Sequence, residues 1–400
     1  MKKFLALILA LVMALSLVAC GGGNNNSEPE NPDTSDATNT EYKVAMITDY
    51  GDITDQSFNQ TTYEACKAFA ETNGVEFKYF KPAGDNTADR VSMIESAIDE
   101  GFNVIVMPGY AFGEAITETA PNFADVKFIA LDVSAGDLGA DFEVPANLYC
   151  AVYKEELCGY MAGYAAVKLG YKSLGFLGGM AVPAVQRYGY GFVKGVDAAA
   201  AEMGLTDVTL NYVYGGQFFG DAAITGVMDT WYSKGTQVVF ACGGGIYTSA
   251  VDAAKKVEGA KVIGVDVDQA GVIANYAAGE GADEATVEGF KALTVTSAMK
   301  GLYPATYDTL TDVIVNGNWE KYSAKIDTLG LVSADDPSAN YVQIPMDSTQ
   351  WADGAFTQDD YKALVAKMFS GELTVSDDIT KAASDFATVI TVDDQGAIKG

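Results

Sequence analysis

From about Tyr42 onward, short apolar runs alternate with longer amphipathic stretches. Apolar runs of this length are typical of buried strands, and the stretches between them have the spacing of helices. The first series predicts strands at 42–49, 75–80, 103–109, 127–132 and 148–153, and helices at about 57–73, 88–100 and 112–120. Strands that alternate with helices in this way predict a parallel sheet that is covered on both faces.

A second series of the same kind follows. It predicts strands at 173–179, 210–216, 237–245, 261–268 and 292–300, and helices at about 155–169, 183–203, 220–234 and 247–257, with a further helix from about Tyr303. The chain of 400 residues is long enough for two domains. The pattern therefore predicts an α/β fold with two units of similar build and a tail that contains a helix near 358–370.

Polar groups stand at the ends of several predicted strands. Ligands of open parallel sheets bind beyond the carboxyl ends of the strands, and in a protein with two lobes these ends can face each other across a cleft. Taken singly, an aspartate at such a place is often a helix cap, and a glycine is often part of a turn. Taken together, the set predicts a small-molecule site formed by Asp49, Asp132, Gly243, Gly244, Gly245, Asp266 and Lys300.

Aromatic side chains occur at two of these loops. The segment DQSFNQ places Phe58 beside Asn59 just after the first strand, and GGQFFGD carries Phe218 and Phe219. Two aromatic rings from different lobes could enclose a flat ring, while an amide and a carboxylate could bind its edge. Strand-end carboxylates suit vicinal sugar hydroxyls. The combination predicts a ligand with a small flat ring attached to a polyol.

The beginning of the chain has the pattern of an export signal. A positively charged start, MKK, precedes an apolar run at 4–15, which is short and is followed by a polar tract. The run leads to LVAC, which ends at Cys20 and resembles a bacterial lipobox. By that resemblance residues 1–20 are a lipoprotein signal peptide and Cys20 is lipidated after cleavage. A plain signal peptide is the alternative. Residues 21–41 are rich in Gly, Asn, Ser and Pro and predict a flexible tether.

Charge and composition exclude several function classes. The chain has 25 Lys and Arg against 54 Asp and Glu, a net charge of −29, so its surface would repel a nucleic-acid polymer. It has no histidine, which excludes Ser-His-Asp and Cys-His catalysis.

The cysteines that follow Cys20 lie in apolar segments and form no CxxC pair. Cys66, Cys150, Cys158 and Cys242 therefore predict small buried hydrophobic side chains and no zinc site. Whether Cys150 and Cys158 form a disulfide is left open.

Six segments together resemble the basic membrane protein family: DQSFNQTTYEA, FIALDVS, EELCGYMAGYAA, LGFLGGMAVPAVQRYGYGFVKG, VIGVDVDQ and TSAMKG. Its members are PnrA-like purine nucleoside receptors, the lipoprotein substrate-binding components of ABC importers. The resemblance runs from about Lys43 to Asp312. It implies a type I periplasmic-binding-protein fold, in which two doubly wound parallel-sheet lobes are joined by a hinge of three crossovers, with no enzymatic activity and no cofactor.

We assign the predicted lobes as follows. The first comprises residues 43–150 and about 270–315, and the second comprises residues 151–269 and about 316–400. The resemblance also implies where a nucleoside binds. By the resemblance, Phe58 would stack on the base, and Asn59, Asp132 and Asp49 would contact its edge. The ribose would be contacted by Gly243, Gly244, Gly245, Asp266 and Lys300.

The second stacking ring is open between two residues. The family pattern resembles Gly-Ser-Phe-x-Asp, and GQFFGD has one residue more, so Phe218 and Phe219 are both candidates. We prefer Phe219 because it keeps the Phe-x-Asp spacing to Asp221. The segment ACGGGIYTSAV also departs from the family's glycine turn, and Tyr247 could alter the ribose side.

The resemblance implies a monomeric protein that is anchored to the cell membrane by lipid on Cys20 and faces the extracytoplasmic side. Its partners would be a purine nucleoside and the permease and ATPase of the transporter. One alternative is the same fold with another small solute, such as a sugar, an autoinducer or another heterocycle. Others are a surface sensor or adhesin, and an exported nucleoside hydrolase with Asp49, Asp52 and Asp55 as calcium ligands. The export signal and the negative charge argue against a repressor.

Overall fold

The computed structural model describes residues 41–399. The predicted signal peptide at 1–20, its lipidation residue Cys20 and nearly all of the predicted tether at 21–41 lie outside the described residues. The strands are β1 Lys43–Ile47, β2 Glu76–Phe80, β3 Val104–Pro108, β4 Lys127–Leu131, β5 Leu148–Tyr153, β6 Ser173–Gly178, β7 Thr209–Tyr214, β8 Val238–Cys242, β9 Lys261–Asp266, β10 Thr294–Lys300, β11 Lys325–Leu329, β12 Val342–Gln343 and β13 Thr391–Ala397.

The α-helices alternate with these strands through most of the chain. They are α1 Phe58–Asn73, α2 Thr87–Asp99, α3 Gly113–Thr119, α4 Ala135–Leu138, α5 Glu155–Lys168, α6 Pro183–Glu202, α7 Ala222–Ser233, α8 Tyr247–Ala254, α9 Ala270–Ala278, α10 Glu284–Lys291, α11 Leu302–Leu310 and α12 Gln358–Ser370. Every strand and helix predicted from the two series is present, and α12 coincides with the helix predicted near 358–370.

The strands form two sheets. The order in the first sheet is β11-β5-β4-β3-β1-β2, and all its pairs are parallel. The order in the second is β12-β10-β9-β8-β6-β7-β13, and only β12 is antiparallel to its neighbour. The central strands β3 and β8 are buried along their whole length, as expected for sheets covered by helices on both faces. The predicted α/β architecture is confirmed.

Three connections pass between the two sheets, after β5, after β10 and after β11. They run side by side and are joined by backbone hydrogen bonds. Lys154 N donates to Leu329 O at 2.9 Å, Gly301 N donates to Tyr341 O at 2.7 Å, and Tyr341 N donates to Gly330 O at 3.0 Å. The two lobes are therefore joined by three crossovers, as the resemblance implied.

The predicted assignment of the later segments to lobes is wrong in part. Residues 270–315 were assigned to the first lobe, but β10 pairs with β9 in the second sheet. Only α11 packs on the first lobe, where the Tyr307 ring lies 5.8 Å from that of Phe69 on α1. In the tail, β11 pairs with β5 of the first sheet. The periodicity of a segment indicates a strand, but its sheet depends on the partner that it pairs with, which local pattern does not contain.

Helices α5 and α6 pack with their backbones in direct contact. A Cβ atom built on Gly191 of α6 would lie 2.2 Å from the carbonyl oxygen of Glu156, and one on Gly159 of α5 would lie 2.2 Å from that of Tyr188. No larger residue fits at these positions without separating the helices. The close approach places the start of α5, with Glu155, beside the first turns of α6.

The part of the tail after α12 attaches to the second lobe. Asp197 of α6 accepts hydrogen bonds from the backbone N–H groups of Thr388 and Val389, both at 2.8 Å, and of Ile390 at 3.2 Å. These bonds lead the chain into β13, which extends the second sheet beyond β7.

Cys66, Cys150, Cys158 and Cys242 are all buried, as predicted. All four are free, so the question left open is answered: Cys150 and Cys158 do not form a disulfide. Within residues 41–399, none of the helices combines the length and the apolar character that crossing a membrane requires.

Candidate ligand-binding site

A cavity of about 370 Å³ lies between the carboxyl ends of the two sheets. Every residue that the sequence predicted for ligand binding lines it, although the set comes from six separate parts of the chain. These residues are Asp49, Phe58, Asn59, Asp132, Phe218, Phe219, Gly243, Gly244, Gly245, Asp266 and Lys300.

Lys300 stands at the centre of a cluster of carboxylates. Its Nζ atom lies 2.5 Å from Asp132 Oδ2, 3.6 Å from Glu155 Oε1 and 3.7 Å from Asp266 Oδ1. Asp132 follows β4 of the first sheet, whereas Asp266 ends β9 of the second. One buried cation therefore holds acids from both lobes at the base of the cavity.

The protonation of this cluster follows from burial and charge. Burial opposes the charged form of Lys300, but Asp132, Asp266 and Glu155 outweigh it, and the pKa of Lys300 lies above its usual value. Burial raises the pKa of Asp132 to about 6, although Lys300 acts in the opposite direction. The Oδ1 atom of Asp132 is buried and has no hydrogen-bond partner among the described residues. It is therefore an acceptor that a ligand N–H or O–H group could use.

Both strand-end aspartates have an unusual backbone conformation. The φ angle is 60° at Asp132 and 64° at Asp266, in the left-handed region that residues with a side chain rarely adopt. Such strain is most often found at functional sites. At both positions the carboxylate is directed from the strand end toward Lys300 and the cavity.

Asp266 also links the two lobes directly. Its Oδ2 atom accepts a hydrogen bond of 2.7 Å from the hydroxyl of Ser57, which precedes α1 of the first lobe. Its Oδ1 atom accepts one of 3.1 Å from the Tyr188 hydroxyl on α6. A second bond across the cleft runs from Gln269 Nε2 to the carbonyl oxygen of Gln56 at 3.2 Å. In this conformation the lobes are in contact around the cavity.

Asn59 contacts neighbouring carboxylates in this conformation. It is 3% exposed, and its Nδ2 atom donates to Asp49 Oδ1 and to Asp55 Oδ2, both at 3.1 Å. Both N–H bonds of the amide are thus used by neighbouring carboxylates and are not available to a base in this conformation. In this conformation the side chain orients Asp49, and the contact of Asn59 with the base edge stays a prediction.

Asp49 is the acceptor that Asn59 positions. Its Oδ1 atom also accepts backbone hydrogen bonds from Tyr50 and Gly51, both at 2.6 Å. Burial raises the pKa of Asp49, and these hydrogen bonds oppose the shift. No hydrogen bond within the described part of the chain uses Oδ2. Like Asp132 Oδ1, this atom could accept a hydrogen bond from a ligand.

The other two aspartates of the first loop have separate structural roles. Asp55 accepts backbone hydrogen bonds from Ser57 and Asn59, both at 2.9 Å, and so caps α1. Asp52 pairs with Lys81 at 2.7 Å on the surface. In residues 41–399 there is no group of carboxylates and cysteines that could hold a metal ion. The calcium site of the hydrolase alternative therefore receives no support from these aspartates.

The aromatic residues occupy distinct positions. The Phe58 ring centroid lies 4.7 Å from Lys300 Nζ. The Phe218 ring lies 6.4 Å from that of Tyr50 and is packed so closely on Gly179 that a Cβ atom there would be 2.4 Å from Phe218 Cδ1. Phe219 is 62% exposed. This geometry does not support the preference for Phe219 as the second stacking ring, because the Phe218 ring is packed against Gly179 whereas the Phe219 ring is largely exposed.

The predicted glycine turn supports this aromatic loop. Gly243 and Gly244 have φ angles of 149° and 49°, which glycine adopts readily. Gly245 N donates to the carbonyl oxygen of Phe218 at 2.9 Å. A Cβ atom on Gly243 would lie 2.8 Å from the Phe218 ring, so a larger residue would displace it.

Sequence analysis missed other residues of the cavity region, among them Arg187. Its Nε atom donates to Glu155 Oε2 at 2.6 Å, and its side chain lines the cavity. Burial disfavours the charged form of Arg187, but the nearby carboxylates, chiefly Glu155, favour it more strongly, so the pKa of Arg187 is raised. A signal was present, because Arg187 is the only charged residue between Lys172 and Lys194. Further cavity residues that were missed are Tyr50, Tyr110, Ser134, Val182, Pro183, Val185 and Tyr188.

Comparisons of the sequence with known proteins identify the family. The family model for PnrA-like substrate-binding proteins of ABC transporters matches residues 42–343. The chain is similar to the ABC transporter nucleoside-binding protein BmpA of Lactococcus lactis subsp. cremoris strain MG1363, with 27% identity over 281 residues, 67% of this chain and 75% of the relative. It is also similar to basic membrane protein A1 of Borrelia garinii subsp. bavariensis, with 28% identity over 271 residues, 67% of this chain and 73% of the relative.

Solved structures agree on the fold. An ABC transporter solute-binding protein from Aeropyrum pernix K1 has a TM-score of 0.63 and 20% identity, with 86% of this chain and 90% of that chain covered. A solute-binding protein from Conexibacter woesei has a TM-score of 0.59 and 22% identity, with 84% and 99% covered. The predicted type I periplasmic-binding-protein fold is confirmed.

Proposed function

Because the chain belongs to the family of PnrA-like substrate-binding proteins of ABC transporters, we propose that it captures a purine nucleoside between its two lobes and delivers it to the permease of an importer. Members of this family bind substrates and are not enzymes. The main observation behind the proposal is that aromatic rings from both lobes and the Lys300 cluster line the same cavity. The name of the Lactococcus relative, a nucleoside-binding protein, agrees with it.

The base would bind between the two lobes at their aromatic residues. Phe58 from the first lobe and Phe218 from the second offer ring faces, and stacking of a base on one aromatic side chain contributes about 1–3 kcal/mol. Asp49 Oδ2 and Asp132 Oδ1 are acceptors without a donor among residues 41–399. Carboxylate acceptors suit the N–H groups on the edge of a purine, and Asn59 would hold Asp49 in place for this contact.

The ribose would bind next to Asp266, Lys300 and the turn at 243–245. Hydrogen bonds between sugar hydroxyls and charged side chains are stronger than those between neutral groups. The ligand would close the lobes further only by its higher affinity for the closed state. Opening of the cleft would break the bond between Ser57 and Asp266 and the bond between Gln269 and Gln56.

The charge of the cavity restricts its ligands. The carboxylates of Asp49, Asp132 and Asp266 face it, against the two cations Lys300 and Arg187, which are themselves paired with acids. A phosphate group would be repelled in these surroundings. The volume of about 370 Å³ is at the lower end of the range for small-molecule sites. Both features favour an uncharged nucleoside over a nucleotide.

We further propose that residues 1–20 are removed on export, and that lipid on Cys20 and the tether at 21–41 hold the protein at the extracytoplasmic face of the membrane. The proposed partners are the permease and the ATPase of the transporter, and the protein would act as a monomer.

The experiment is a thermal-shift panel on the full chain, stripped of bound ligand by unfolding and refolding. The panel holds inosine, guanosine, adenosine, cytidine, uridine, inosine monophosphate, the free bases and ribose. A ligand at 100 times its dissociation constant stabilises by about 2.7 kcal/mol, which is a shift of several degrees. Shifts with purine nucleosides alone support the proposal. Shifts with sugars or another heterocycle would favour a different solute, and no shift with any nucleoside would contradict the proposal.

A further inference from the structure

The chain continues well beyond the family match, which ends at residue 343. Strand β13 lies in this additional part and pairs in parallel with β7, from Thr391 beside Thr209 to Ala397 beside Tyr214. Ile398 N then donates to the carbonyl oxygen of Tyr214 at 2.8 Å. The added strand therefore follows β7 to its carboxyl end, where the cavity begins.

At this end the residue after Ile398 contacts the aromatic loop, which we define as residues 216–221. Lys399 Nζ donates to Gln217 Oε1 at 2.8 Å and pairs with the carboxylate of Asp221. Gln217 Nε2 in turn donates to Asp221 Oδ2 at 3.0 Å and to the carbonyl oxygen of Phe219 at 2.9 Å. Lys399 thus joins both ends of the aromatic loop.

The aromatic loop is held from the opposite side by the glycine turn. Gly245 N donates to the carbonyl oxygen of Phe218, whereas Asp221 caps α7 by accepting from Ile224 N at 3.0 Å. The backbone at Gly216 is in close contact with Lys399, since a Cβ atom there would lie 2.7 Å from the Lys399 carbonyl oxygen. The loop that carries Phe218 therefore lies between the glycine turn and the added segment.

We propose that β13 and Lys399 position the aromatic loop, and that Lys399 is a positioning residue for ligand binding that the family match does not include. This inference rests on the proposed function, because its consequence is the placement of Phe218 against a base. Lys399 does not itself line the cavity. It acts through Gln217 and Asp221, which fix the backbone on both sides of Phe218.

The pair has a property that distinguishes it from a direct ligand contact. The side chains of Lys399 and Asp221 are 40% and 27% exposed, so salt screens their attraction. A nucleoside is uncharged, and its own binding has little charge for salt to screen. If the loop is positioned by Lys399, the affinity for an uncharged nucleoside falls as the salt concentration rises, and it becomes independent of salt when the lysine is replaced.

The test uses the full chain with Lys399→Met and Lys399→Arg. Lys256→Met is the matched control, because Lys256 forms an exposed pair at 2.8 Å with Asp229 on the same helix α7, away from the cavity. Hydrogen exchange of the amides at 216–221 is measured without ligand, and inosine and adenosine affinities are measured by calorimetry at about 20 mM and about 500 mM NaCl, which spans weak to strong screening.

We expect Lys399→Met to speed exchange at 216–221 and to weaken nucleoside binding about two- to fivefold at low salt, the range of an exposed ion pair. Lys399→Arg should restore both, and Lys256→Met should change neither. Unchanged exchange, or faster exchange with unchanged affinity for a nucleoside that the wild type binds, would overturn the inference. If the wild type binds neither nucleoside, the proposed function fails, while the exchange result still decides whether Lys399 positions the loop.

Discussion

Lys300 Nζ lies 2.5 Å from Asp132 Oδ2, and this contact joins the end of a strand in the second sheet to the end of a strand in the first. Glu155, at the first crossover, lies 3.6 Å from the same nitrogen. A buried charge that loses its partner is costly, because it cannot recover the hydration that it gave up. The lysine therefore supports both the cavity and the connection between the lobes.

Replacement of Lys300 by methionine should destabilise the protein in a pH-dependent way. Asp132 and Asp266 would be left buried without a cation, whereas Glu155 would keep Arg187, and a buried charge without its partner costs about 3–5 kcal/mol at pH 8. The folded-state pKa of Asp132 is already raised and would rise further without Lys300. An acid whose pKa is higher in the folded state than in the unfolded state costs stability as the pH rises and it ionises, but not at low pH, where it is protonated in both states. The loss should thus be smaller at pH 5. Urea unfolding of Lys300→Met at both pH values measures it.

Lys256→Met serves as the control for this experiment as well. Its ion pair with Asp229 is exposed, and removal of such a pair costs at most about 1 kcal/mol at either pH. Equal losses at pH 5 and pH 8 in Lys300→Met would show that the methionine disturbs packing rather than charge.

The two neighbouring phenylalanines should contribute differently to binding. Phe218 is packed on Gly179 and Gly243, whereas Phe219 is largely exposed. We expect Phe218→Ala to weaken purine nucleoside binding by about 1–3 kcal/mol, the contribution of one stacking ring, and Phe219→Ala to weaken it less than about threefold. Calorimetric titration of each variant decides between them. A larger loss of affinity in Phe219→Ala than in Phe218→Ala would show that Phe219, which the motif spacing favoured, is the stacking ring.

Asn59→Asp should affect both stability and binding. Asn59 donates to two carboxylates, and burial already raises the pKa of Asp49 and of Asp55. A third acid at this place removes both donors and adds a like charge, so we expect a loss of about 2–3 kcal/mol at pH 8. Because acids with a raised pKa destabilise the folded protein more as the pH rises, the loss of stability should be smaller at pH 5 than at pH 8. Denaturant unfolding at the two pH values and calorimetry with inosine measure the two effects.

Asn318→Asp, at an exposed position where the side chain makes no capping hydrogen bond, is the control for that substitution and should change stability by no more than about 0.5 kcal/mol. If Asn59→Asp kept full affinity, the amide would not be needed to hold Asp49 toward the ligand.

The sequence predicted the helices and strands of this fold and eleven of the residues that line the cavity, but not their detailed contacts. Asp132 and Asp266 could be predicted because each follows a strongly apolar strand, and strand ends of both lobes converge. That Asn59 is turned toward Asp49 and Asp55 depends on the path of the loop at 49–57. The assignment of β10 to the second sheet depends on pairing with β9, which no local pattern reveals.

A signal for the position of Arg187 and Glu155 was present in the sequence. The segments CGYMAGY and YGFVKG each place two glycines four residues apart, Gly159 and Gly163 in one and Gly191 and Gly195 in the other. The four glycines lie at the contact between α5 and α6. Spacing of this kind indicates that a helix packs closely on another helix. Which helix that is, and that the contact brings Arg187 and Glu155 to the cavity, is known only from the fold.

Gly191→Ala should therefore disturb the cavity from a distance. The new methyl group would meet the Glu156 carbonyl oxygen at 2.2 Å, and the helices must separate to admit it. Overpacking of this kind costs about 1–3 kcal/mol, and it displaces Arg187 from Glu155. The measurements are the midpoint temperature of thermal unfolding and the affinity for a nucleoside, and both should decrease. Gly226→Ala in α7, where a methyl group meets nothing within 4 Å, should instead stabilise by about 0.5–1 kcal/mol.

Glu156, next to Glu155, makes the protein's stability depend on pH near neutrality. It is 4% exposed, and its Oε2 atom has no hydrogen-bond partner within the described range. Burial raises its pKa from 4.5 to about 7. Because the folded-state value is the higher one, the stability that this group contributes is present below about pH 4.5 and is lost as the pH rises through about 7.

Glu156→Gln keeps the shape and removes the charge. We expect the variant to be more stable than the wild type by about 3 kcal/mol at pH 8, the free energy that corresponds to the raised pKa, and to differ by less than about 1 kcal/mol at pH 5. Glu202→Gln is the control with the opposite sign, because hydrogen bonds from Tyr164 and Lys168 lower the pKa of Glu202, so its replacement should cost stability at pH 8. Urea unfolding from pH 5 to 8 compares them. A Glu156→Gln protein that is less stable than the wild type at pH 8 would mean that this carboxylate has a favourable partner when charged.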